Sequence, residues 1–386
     1  MYLVHYGAGI ADIQPHSFVI MPICTFARLQ RFGYSSDTSK KGNVLTKLSD
    51  DPRIDPRIKA MFGGFELPAL PDVANRQELL DEANSEAALA ATAALQDFLN
   101  SMGSEKVAPS TGLSIRTEQL LSAPDGNSIN MLIIRPEGDE VLPCVYYIHG
   151  GGMLTQSCYD TNYQAWGRMI AAAGVVVTMV DFRNALLPSS VPEVLPFPAG
   201  LNDCIAGLKW VIANADRLAI DADRIVVAGD SGGGNLTLAT GMKLLADGDA
   251  ALVKGLYAMC PFIGGIWPVP GCPSSIENDG IFLGLHNNRF AMGYGIEAYE
   301  NKNPLAWPVF ATADDIRGLP PVVISVNECD PARDEGINFY RLLLHNGVAA
   351  RCRQVMGSVH ATEIFPVICP DLSSDSAHAI ARFATD

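Results

Sequence analysis

A serine flanked by glycines directly follows a short apolar segment, and this feature most restricts the fold. Residues 224–234 read Arg-Ile-Val-Val-Ala-Gly-Asp-Ser-Gly-Gly-Gly, and a helix-like stretch follows at 235–246. A strand, a very tight turn and a helix predict a strained backbone at Ser231 with its hydroxyl thrust outward. The flanking positions need glycine because a Cβ atom there would collide with the strand or the helix. The helix start adds N–H groups that favour a developing anion.

A second glycine motif lies upstream of the first. Residues 149–152 read His-Gly-Gly-Gly and directly follow the apolar run 144–148. Consecutive glycines after a strand leave backbone N–H groups free to point at a ligand oxygen. Either motif alone is also compatible with an ordinary turn, but the two in this order indicate a serine nucleophile with an oxyanion-binding loop.

Size and charge limit the classes of function. The chain has 386 residues, 48% of them hydrophobic and 18% charged, which suits one large α/β domain with an accessory part. A formal net charge of −15 argues against nucleic acid or an anionic membrane surface as a partner. No apolar run has the length of a membrane span and no signal peptide is recognisable, so we expect a cytoplasmic protein without membrane insertion.

The nine cysteines do not form a metal-binding or disulfide pattern. They are scattered without C-x-x-C pairs, and their number is odd, which favours buried thiols in a reducing compartment. We therefore expect no metal and no cofactor.

Strands and helices alternate through most of the chain. The patterns predict strands at 114–119, 129–135, 144–148, 175–181, 225–228, 252–259, 321–326 and 350–355. They predict helices at 78–101, 163–173, 201–213, 235–246, 335–345 and 374–383. This alternation is typical of a doubly wound, mostly parallel sheet.

Two regions depart from the alternation. We interpret residues 1–110 as an N-terminal arm with cap helices, of which the helix at 78–101 ends at Gly103, and residues 111–386 as the α/β domain. An insertion at about 262–318 is rich in aromatic residues, glycine and proline. It follows the strand after the nucleophile, so we expect it to help cap a pocket, the alternative being an ordinary surface excursion.

A serine nucleophile needs a histidine base. In hydrolases with this strand–serine–helix turn, the chain order is serine, acid, histidine. His286 lies in the insertion, His345 ends a helix and His378 lies within the last helix. His360 directly follows the last strand, on a loop at the carboxyl edge of the sheet, and is therefore the predicted base for Ser231.

The base in turn needs an acid, expected at the carboxyl end of the preceding strand. Asp330 is our choice at that position. Asp334 competes with it, although an acid at the start of the next helix has a structural reason of its own. Glu328 is a weaker third candidate.

On these residues the chain resembles the hormone-sensitive-lipase-like branch of the α/β-hydrolases. The resemblance rests on both glycine motifs, on Asp-Pro-Ala-Arg-Asp-Glu-Gly at 330–336 and on His360. Within the branch it is most similar to the brefeldin-esterase-like subgroup, through segments 181–185, 232–236, 277–280, 305–308 and 317–321. Many members carry Tyr-Arg-Leu-Ala-Pro-Glu where this chain has Phe-Arg-Asn-Ala-Leu-Leu at 182–187. Because of that difference, the substrates of other members of the branch are not assigned to this chain.

The resemblance implies an α/β-hydrolase fold with a helical cap and a serine carboxylesterase acting through an acyl-enzyme. The substrates would be short or medium acyl esters, and the resemblance also allows a lactone. The implied triad is Ser231, Asp330 and His360. The implied oxyanion donors are the amides of Gly150, Gly151 and Gly232, supported by the motif residues His149, Gly152 and Asp230. Dimers are frequent in this branch, which allows a homodimer.

Two other functions stay open on sequence alone. A small-molecule receptor built on an inactive hydrolase would lack the serine or the histidine, and both are present here. A peptidase or amidase would use the same three side chains, and the sequence does not separate it from an esterase.

Overall fold

The computed structural model describes residues 48–64, 69–101 and 104–386. Residues 1–47 of the predicted N-terminal region 1–110 and the predicted helix end at Gly103 lie outside these ranges. The strands are β1 Leu113–Leu121, β2 Ser128–Pro136, β3 Leu142–Ile148, β4 Val176–Asp181, β5 Ile220–Asp230, β6 Gly255–Met259, β7 Val322–Asn327 and β8 Ala350–Val355.

The α-helices alternate with these strands from β3 onward. They are α1 Pro56–Phe62, α2 Arg76–Ala83, α3 Glu86–Ser101, α4 Thr161–Ala172, α5 Ala199–Ala213, α6 Ala215–Leu218, α7 Gly232–Asp247, α8 Ser274–Glu277, α9 Arg289–Tyr294, α10 Ile296–Glu300, α11 Ala313–Ile316, α12 Arg333–His345 and α13 Pro370–Thr385. Short 3₁₀ turns lie at Ser104–Lys106, Ala250–Leu252, Pro308–Phe310 and Thr362–Ile364. No helix in the described ranges combines the length and the apolar character needed to cross a membrane.

The eight strands form one sheet in the order β1-β2-β4-β3-β5-β6-β7-β8. Only the β1–β2 and β2–β4 pairs are antiparallel, so the predicted mostly parallel, doubly wound sheet is confirmed. Strands β3 and β5 are parallel neighbours, and Ile148 pairs with Gly229. Both glycine motifs therefore leave the sheet side by side at its carboxyl edge.

Two apolar clusters cover the two faces of the sheet. Along β3, Tyr146 and Ile148 belong to the cluster that contains Leu236 of α7. The alternate residues Val145 and Tyr147 belong to the cluster on the other face, with α4 and α13. Strands covered on both faces are continuously apolar, and this is why these segments were readable from the sequence.

The helix predicted at 78–101 is two helices, α2 and α3. They are separated at Asn84 and Ser85, whose side chains compete for backbone groups. The Asn84 amide donates to the Leu80 carbonyl at 2.7 Å, and the Ser85 hydroxyl accepts from the Ala88 amide at 3.3 Å. The predicted single helix was wrong because a continuous apolar and alanine-rich pattern hid these local bonds.

The insertion is held to the α/β domain by two buried polar side chains. Asn235 of α7 donates to the carbonyls of Phe262 and Ala306, at 3.0 and 3.1 Å. Glu335 of α12 accepts from the Trp267 indole nitrogen at 3.0 Å. The two ends of the insertion are thereby fixed to the helices that follow β5 and β7.

Residues N-terminal to the sheet lie against the insertion. Helix α2 packs on α9, where the Glu82 carboxylate pairs with the Arg289 guanidinium. Phe62 of α1 lies with its ring 5.0 Å from the ring of Phe282 and 5.7 Å from that of Phe365. The two regions that departed from the alternation therefore meet in space.

Candidate active site

Ser231 lies in the turn between β5 and α7 with φ 54° and ψ −119°. This is a left-handed backbone conformation that non-glycine residues rarely adopt, and it is concentrated at functional turns. The Ser231 amide donates to the Met259 carbonyl at 2.9 Å. A Cβ atom at Gly229 would lie 2.4 Å from the Gly233 carbonyl oxygen, and one at Gly233 would lie 2.0 Å from that of Ile148. The predicted strained turn and its need for glycine are both observed.

The structure brings Ser231, His360 and Asp330 together. His360 Nε2 lies 2.7 Å from Ser231 Oγ, and His360 Nδ1 lies 2.7 Å from Asp330 Oδ2. Both partners of the serine are buried. Burial lowers the pKa of His360, but the carboxylates of Asp330, Asp230 and Glu363 together raise it by more, so the net shift is upward.

The loop that carries His360 is fixed by Asn327 at the end of β7. The Asn327 amide nitrogen donates to the hydroxyl of Ser358 at 2.8 Å and to the carboxylate of Glu363 at 2.9 Å. Its amide oxygen accepts from the backbone nitrogen of Ala361 at 3.3 Å. His360 is therefore bracketed by hydrogen bonds on both sides along the chain.

The competing acids have other partners. Asp334 accepts from the backbone nitrogen of Ser274 at 2.7 Å. Glu328 accepts from the backbone nitrogen of Gly357 at 2.7 Å. Neither carboxylate is hydrogen-bonded to the imidazole of His360, because Asp330 is the partner of its Nδ1.

The competing histidines also bond elsewhere. The ring of His286 lies 2.7 Å from the Ser275 carbonyl oxygen, and that of His378 lies 2.8 Å from the Ser374 carbonyl oxygen. His345 is the last residue of α12, as predicted, where a histidine side chain interacts favourably with the helix dipole.

The glycine loop after β3 lies against the start of α7. A Cβ atom at Gly232 would lie 2.8 Å from the Gly152 backbone nitrogen. As the first residue of α7, Gly232 has an N–H group without an intrahelical partner. Gly151 and Gly152 have φ values of 88° and 63°, and their amides have no acceptor within the described part of the chain. The amides of Gly151, Gly152 and Gly232 thus converge near Ser231.

Gly150 differs from its predicted role as an oxyanion donor. Its backbone N–H donates to the hydroxyl oxygen of Tyr163 at 2.8 Å. This amide is therefore already paired, whereas that of Gly152, predicted only as motif support, is free for a ligand.

His149, the first residue of the motif, fixes the start of the glycine loop. Its ring stacks on Phe182 with the centroids 4.3 Å apart, and Nδ1 lies 3.1 Å from the Gly150 carbonyl oxygen. Nε2 lies 3.5 Å from Asp181. Burial raises the pKa of Asp181, but His149 and Ser190 together lower it to about 2. The histidine of the motif is thus a buried structural partner of this carboxylate.

Asp230, beside the nucleophile in sequence, points away from it into the interior. Its Oδ1 accepts from the Tyr147 hydroxyl at 2.7 Å, and its Oδ2 accepts from the Tyr163 hydroxyl at 3.0 Å. Burial raises the pKa of Asp230, while the two tyrosine hydroxyls lower it. The residue also lines the small cavity that contains Ser231, but its carboxylate is hydrogen-bonded to the two tyrosines and not to the Ser231 hydroxyl.

Two cavities meet at the glycine loop. The smaller, of about 30 Å³, is lined by Ser231 and His360 together with aromatic rings, among them that of Phe365. The larger, of about 420 Å³, lies beneath α3 and is lined mainly by aliphatic side chains. Both include Gly151, Gln156 and Phe290 in their walls, although the larger does not include the serine. A volume of this size suits a small organic ligand.

Within the described ranges, one group of side chains is close enough to share a metal ion. The ligand atoms of Cys260, Asp330 and His360 lie within 4.8 Å of one another. Asp330 and His360 are already hydrogen-bonded to each other. Burial raises the pKa of the Cys260 thiol well above its usual value, so the thiolate that a metal ion would need is costly to form here. The arrangement favours a hydrogen-bonded pair over a metal centre.

The sequence matches a family with the alpha/beta hydrolase fold over residues 145–364, more than half of its length. The chain belongs to this family. The serine turn, the glycine loop, Asp330 and His360 all lie within the matched region, whereas β1 and β2 precede it.

Solved structures of esterases are similar to this hydrolase over most of its length. A structure of esterase Est22 is 60% identical with a TM-score of 0.86, and the match covers 88% of this chain and 98% of that one. Brefeldin A esterase, described as a bacterial homologue of human hormone-sensitive lipase, is 34% identical with a TM-score of 0.73, covering 86% and 94% of the two chains. The expected likeness to the hormone-sensitive-lipase-like branch is confirmed, and Est22 is more similar than brefeldin A esterase.

Curated relatives include the carboxylesterase NlhH of Mycobacterium tuberculosis. It is 30% identical over 243 residues, which are 62% of this chain and 72% of NlhH. The hydrolase covers 65% of the length of a mimivirus relative and 64% of a tulip enzyme, in each case less than two thirds. Together with the esterase structures, these likenesses support the expected class of carboxylic ester hydrolase.

Several side chains around the site were not singled out from the sequence. They include Tyr147, Tyr163, Asp181, Phe290 and Glu335. Asp181 carried a usable signal, since it is an acid at the carboxyl end of a predicted strand. The tyrosines carried none, because they lie inside apolar strand and helix patterns where an aromatic residue is ordinarily core.

Proposed function

We propose that this hydrolase is a serine carboxylesterase that cleaves carboxylic esters through an acyl-enzyme, with Ser231 as nucleophile. The observation that carries the proposal is the continuous hydrogen-bond chain from Asp330 through His360 to Ser231. Asp330 Oδ2 lies 2.7 Å from His360 Nδ1, and His360 Nε2 lies 2.7 Å from Ser231 Oγ. Such a chain activates a hydroxyl that is otherwise a weak nucleophile at neutral pH.

In the first half of the reaction, His360 Nε2 accepts the proton of Ser231 as Oγ attacks the ester carbonyl carbon. The carboxylate of Asp330 holds the tautomer with the proton on Nδ1 and stabilises the imidazolium that forms. The carbonyl oxygen becomes an oxyanion, which the free amides of Gly151, Gly152 and Gly232 receive. His360 then gives its proton to the leaving alcohol.

In the second half, water replaces the alcohol. His360 accepts a proton from the water as its oxygen attacks the acyl-enzyme carbonyl. The tetrahedral intermediate collapses, the proton passes to Ser231 Oγ, and the carboxylic acid leaves. The side chains and amides already described suffice for every proton transfer in this sequence.

The ester binds in the two joined cavities beneath a cap. The cap consists of the helices of residues 1–110 and the insertion at about 262–318. The supporting observations are the contact of α2 with α9 and the aromatic contacts of Phe62 with Phe282 and Phe365. The aliphatic walls of the 420 Å³ cavity suit short or medium acyl chains, and its size also admits a lactone.

The proposal is tested with a short p-nitrophenyl ester and with labelling by a fluorophosphonate. We expect Ser231→Ala to abolish turnover and labelling, and a peptide map of the wild-type protein to place the label on Ser231. Ser373→Ala is the matched control, because this buried serine lies on α13 and its hydroxyl makes no hydrogen bond within the described part of the chain. Full turnover by Ser231→Ala would exclude this nucleophile. Comparison of an ester with the matching amide separates an esterase from an amidase.

A further inference from the structure

The first glycine of the loop is held by a buried pair of side chains, Tyr163 and Asp230, in the wall of the small cavity. The Gly150 N–H donates to Tyr163 Oη at 2.8 Å, and the Tyr163 hydroxyl reaches Asp230 Oδ2 at 3.0 Å. A Cβ atom at Gly150 would lie 2.5 Å from Asp230 Oδ2 and 2.7 Å from Tyr163 Oη. The pair therefore leaves room only for a hydrogen at this position, so the loop and the pair fit each other closely.

The hydroxyl group of Tyr163 can hold the Gly150 amide and bind the Asp230 carboxylate at the same time. A tyrosine hydroxyl has one proton to donate and lone pairs to accept with. Tyr163 accepts from Gly150, and its single proton is directed to Asp230 at 3.0 Å or to Gln156 Oε1 at 3.1 Å. Burial raises the pKa of Tyr163 well above its usual value, so the hydroxyl keeps its proton. An acidic partner thus orients the tyrosine with its lone pair towards the amide.

We propose that Tyr163, oriented by Asp230, positions the oxyanion loop so that the next two amides, of Gly151 and Gly152, point at the substrate. This inference rests on the proposed esterase function. Without the acceptor at Tyr163, the Gly150 N–H would be buried and unpaired, and the loop would turn to find another partner. Because Gly151 and Gly152 directly follow, such a turn would move the amides that bind the oxyanion. Tyr163 and Asp230 are positioning residues, since neither touches the reacting atoms.

The second tyrosine on Asp230 provides a matched control. Tyr147 donates to Asp230 at 2.7 Å and is as deeply buried as Tyr163, but it has no contact with Gly150. Tyr147→Phe and Tyr163→Phe each remove one hydroxyl and one hydrogen bond to the same carboxylate. Only Tyr163→Phe also removes the acceptor for Gly150. The difference between the two variants therefore reports the loss of the Gly150 acceptor, together with the alternative contact of Tyr163 with Gln156, apart from a general loss of packing.

The experiment compares steady-state kinetics, binding of a trifluoromethyl ketone as transition-state analogue, and thermal unfolding. For Tyr163→Phe we expect kcat to fall at least about tenfold with KM within about twofold, and binding of the analogue to weaken by the same factor as kcat/KM. For Tyr147→Phe we expect kcat to change by less than about threefold. The unfolding temperature should fall in both variants, and further in Tyr163→Phe, because the buried Gly150 N–H is then also left unpaired.

Several outcomes would overturn the inference. Equal losses of kcat in the two variants, or a loss in KM alone, would show that Tyr163 contributes only packing. If Tyr163→Phe does not fold, site-specific 3-fluorotyrosine at position 163 keeps the shape while weakening the acceptor. It should then lower kcat more than the same replacement at position 147, and an equal effect counts against the inference. Turnover retained by Ser231→Ala would instead refute the proposed function, so the two failures are distinguishable.

Discussion

The carboxylate of Glu335 lies 3.0 Å from the indole nitrogen of Trp267 in the interior, where only 2% of Glu335 is exposed. The same carboxylate accepts from the backbone amides of Ile263 and Gly264, at 2.8 and 3.2 Å. Burial raises the pKa of Glu335 to about 8, although these three donors favour its charged form. A titratable group thus fixes the start of the insertion.

This relationship predicts a pH-dependent contribution to stability. The pKa of an unfolded glutamate is about 4.3, so between about pH 4.5 and 8 the unfolded chain loses a proton that the folded one keeps. The free energy of unfolding contributed by Glu335 should therefore fall as pH rises through this window. Glu335→Gln removes the titration, so the wild-type advantage over the variant should shrink by up to about 1.4 kcal/mol per pH unit. Urea unfolding of both proteins at pH 5, 6, 7 and 8 measures this difference in the free energy of unfolding. A difference that stays constant over this range would contradict the raised pKa of Glu335.

The acid of the proposed triad can be tested against its sequence neighbour. We expect Asp330→Asn to lower kcat by about 10³- to 10⁴-fold, because an amide donates to Nδ1 and imposes the wrong tautomer on His360. Asp334→Asn is the control, since this side chain binds Arg333 and Ser274. Its kcat should change by less than about threefold. The assignment would have to be reversed if Asp334→Asn caused the larger loss.

The base predicts the direction of the pH profile. His360 accepts a proton from Ser231 only when it is neutral, so kcat/KM should rise with pH. Because Asp330 raises the pKa of His360, the midpoint in the free enzyme should lie above the ordinary histidine value of about 6.5. Asp330→Asn should move the midpoint of the residual activity downward. Initial rates at low substrate from pH 5 to 9 give the curve, and a profile that is flat over this range would exclude His360 as the base.

The large cavity predicts a dependence on substrate size. Ala91 lines it from α3, whereas its neighbour Ala90 does not and is exposed. Ala91→Phe should lower kcat/KM for ethyl octanoate at least about tenfold, because several methylene groups lose their buried site. Its kcat/KM for ethyl acetate should stay nearly unchanged. Ala90→Phe, measured with the same two esters in a pH-stat, is the control. Equal losses for both esters would show that the cavity does not bind substrate.

The sequence predicted the sheet and the centre of the site because both are set by short-range patterns. Continuous apolar strands and the two glycine motifs identify the carboxyl edge, and chain order then selects Asp330 and His360. The break at Asn84 was missed because side-chain bonds to the backbone override a helical pattern. The engaged amide of Gly150 was missed because its partner, Tyr163, is distant in sequence and sits in an apolar helix pattern. Contacts of that kind follow only from the packing of α4 on the sheet, against β2 and β4, which brings Tyr163 to Gly150 and Asp230.

The near-contact of Gly233 with the Ile148 carbonyl has a consequence for how such an enzyme changes. The serine turn and the loop of free amides meet main chain against main chain, with no side chain between them to act as a spacer. The distance between the serine turn and the glycine loop is thus set by the backbone. The aromatic and aliphatic walls of the two cavities are formed largely by other segments of the chain. Substitutions in those walls can therefore change which esters are bound, while the backbone geometry that cleaves the ester bond stays the same.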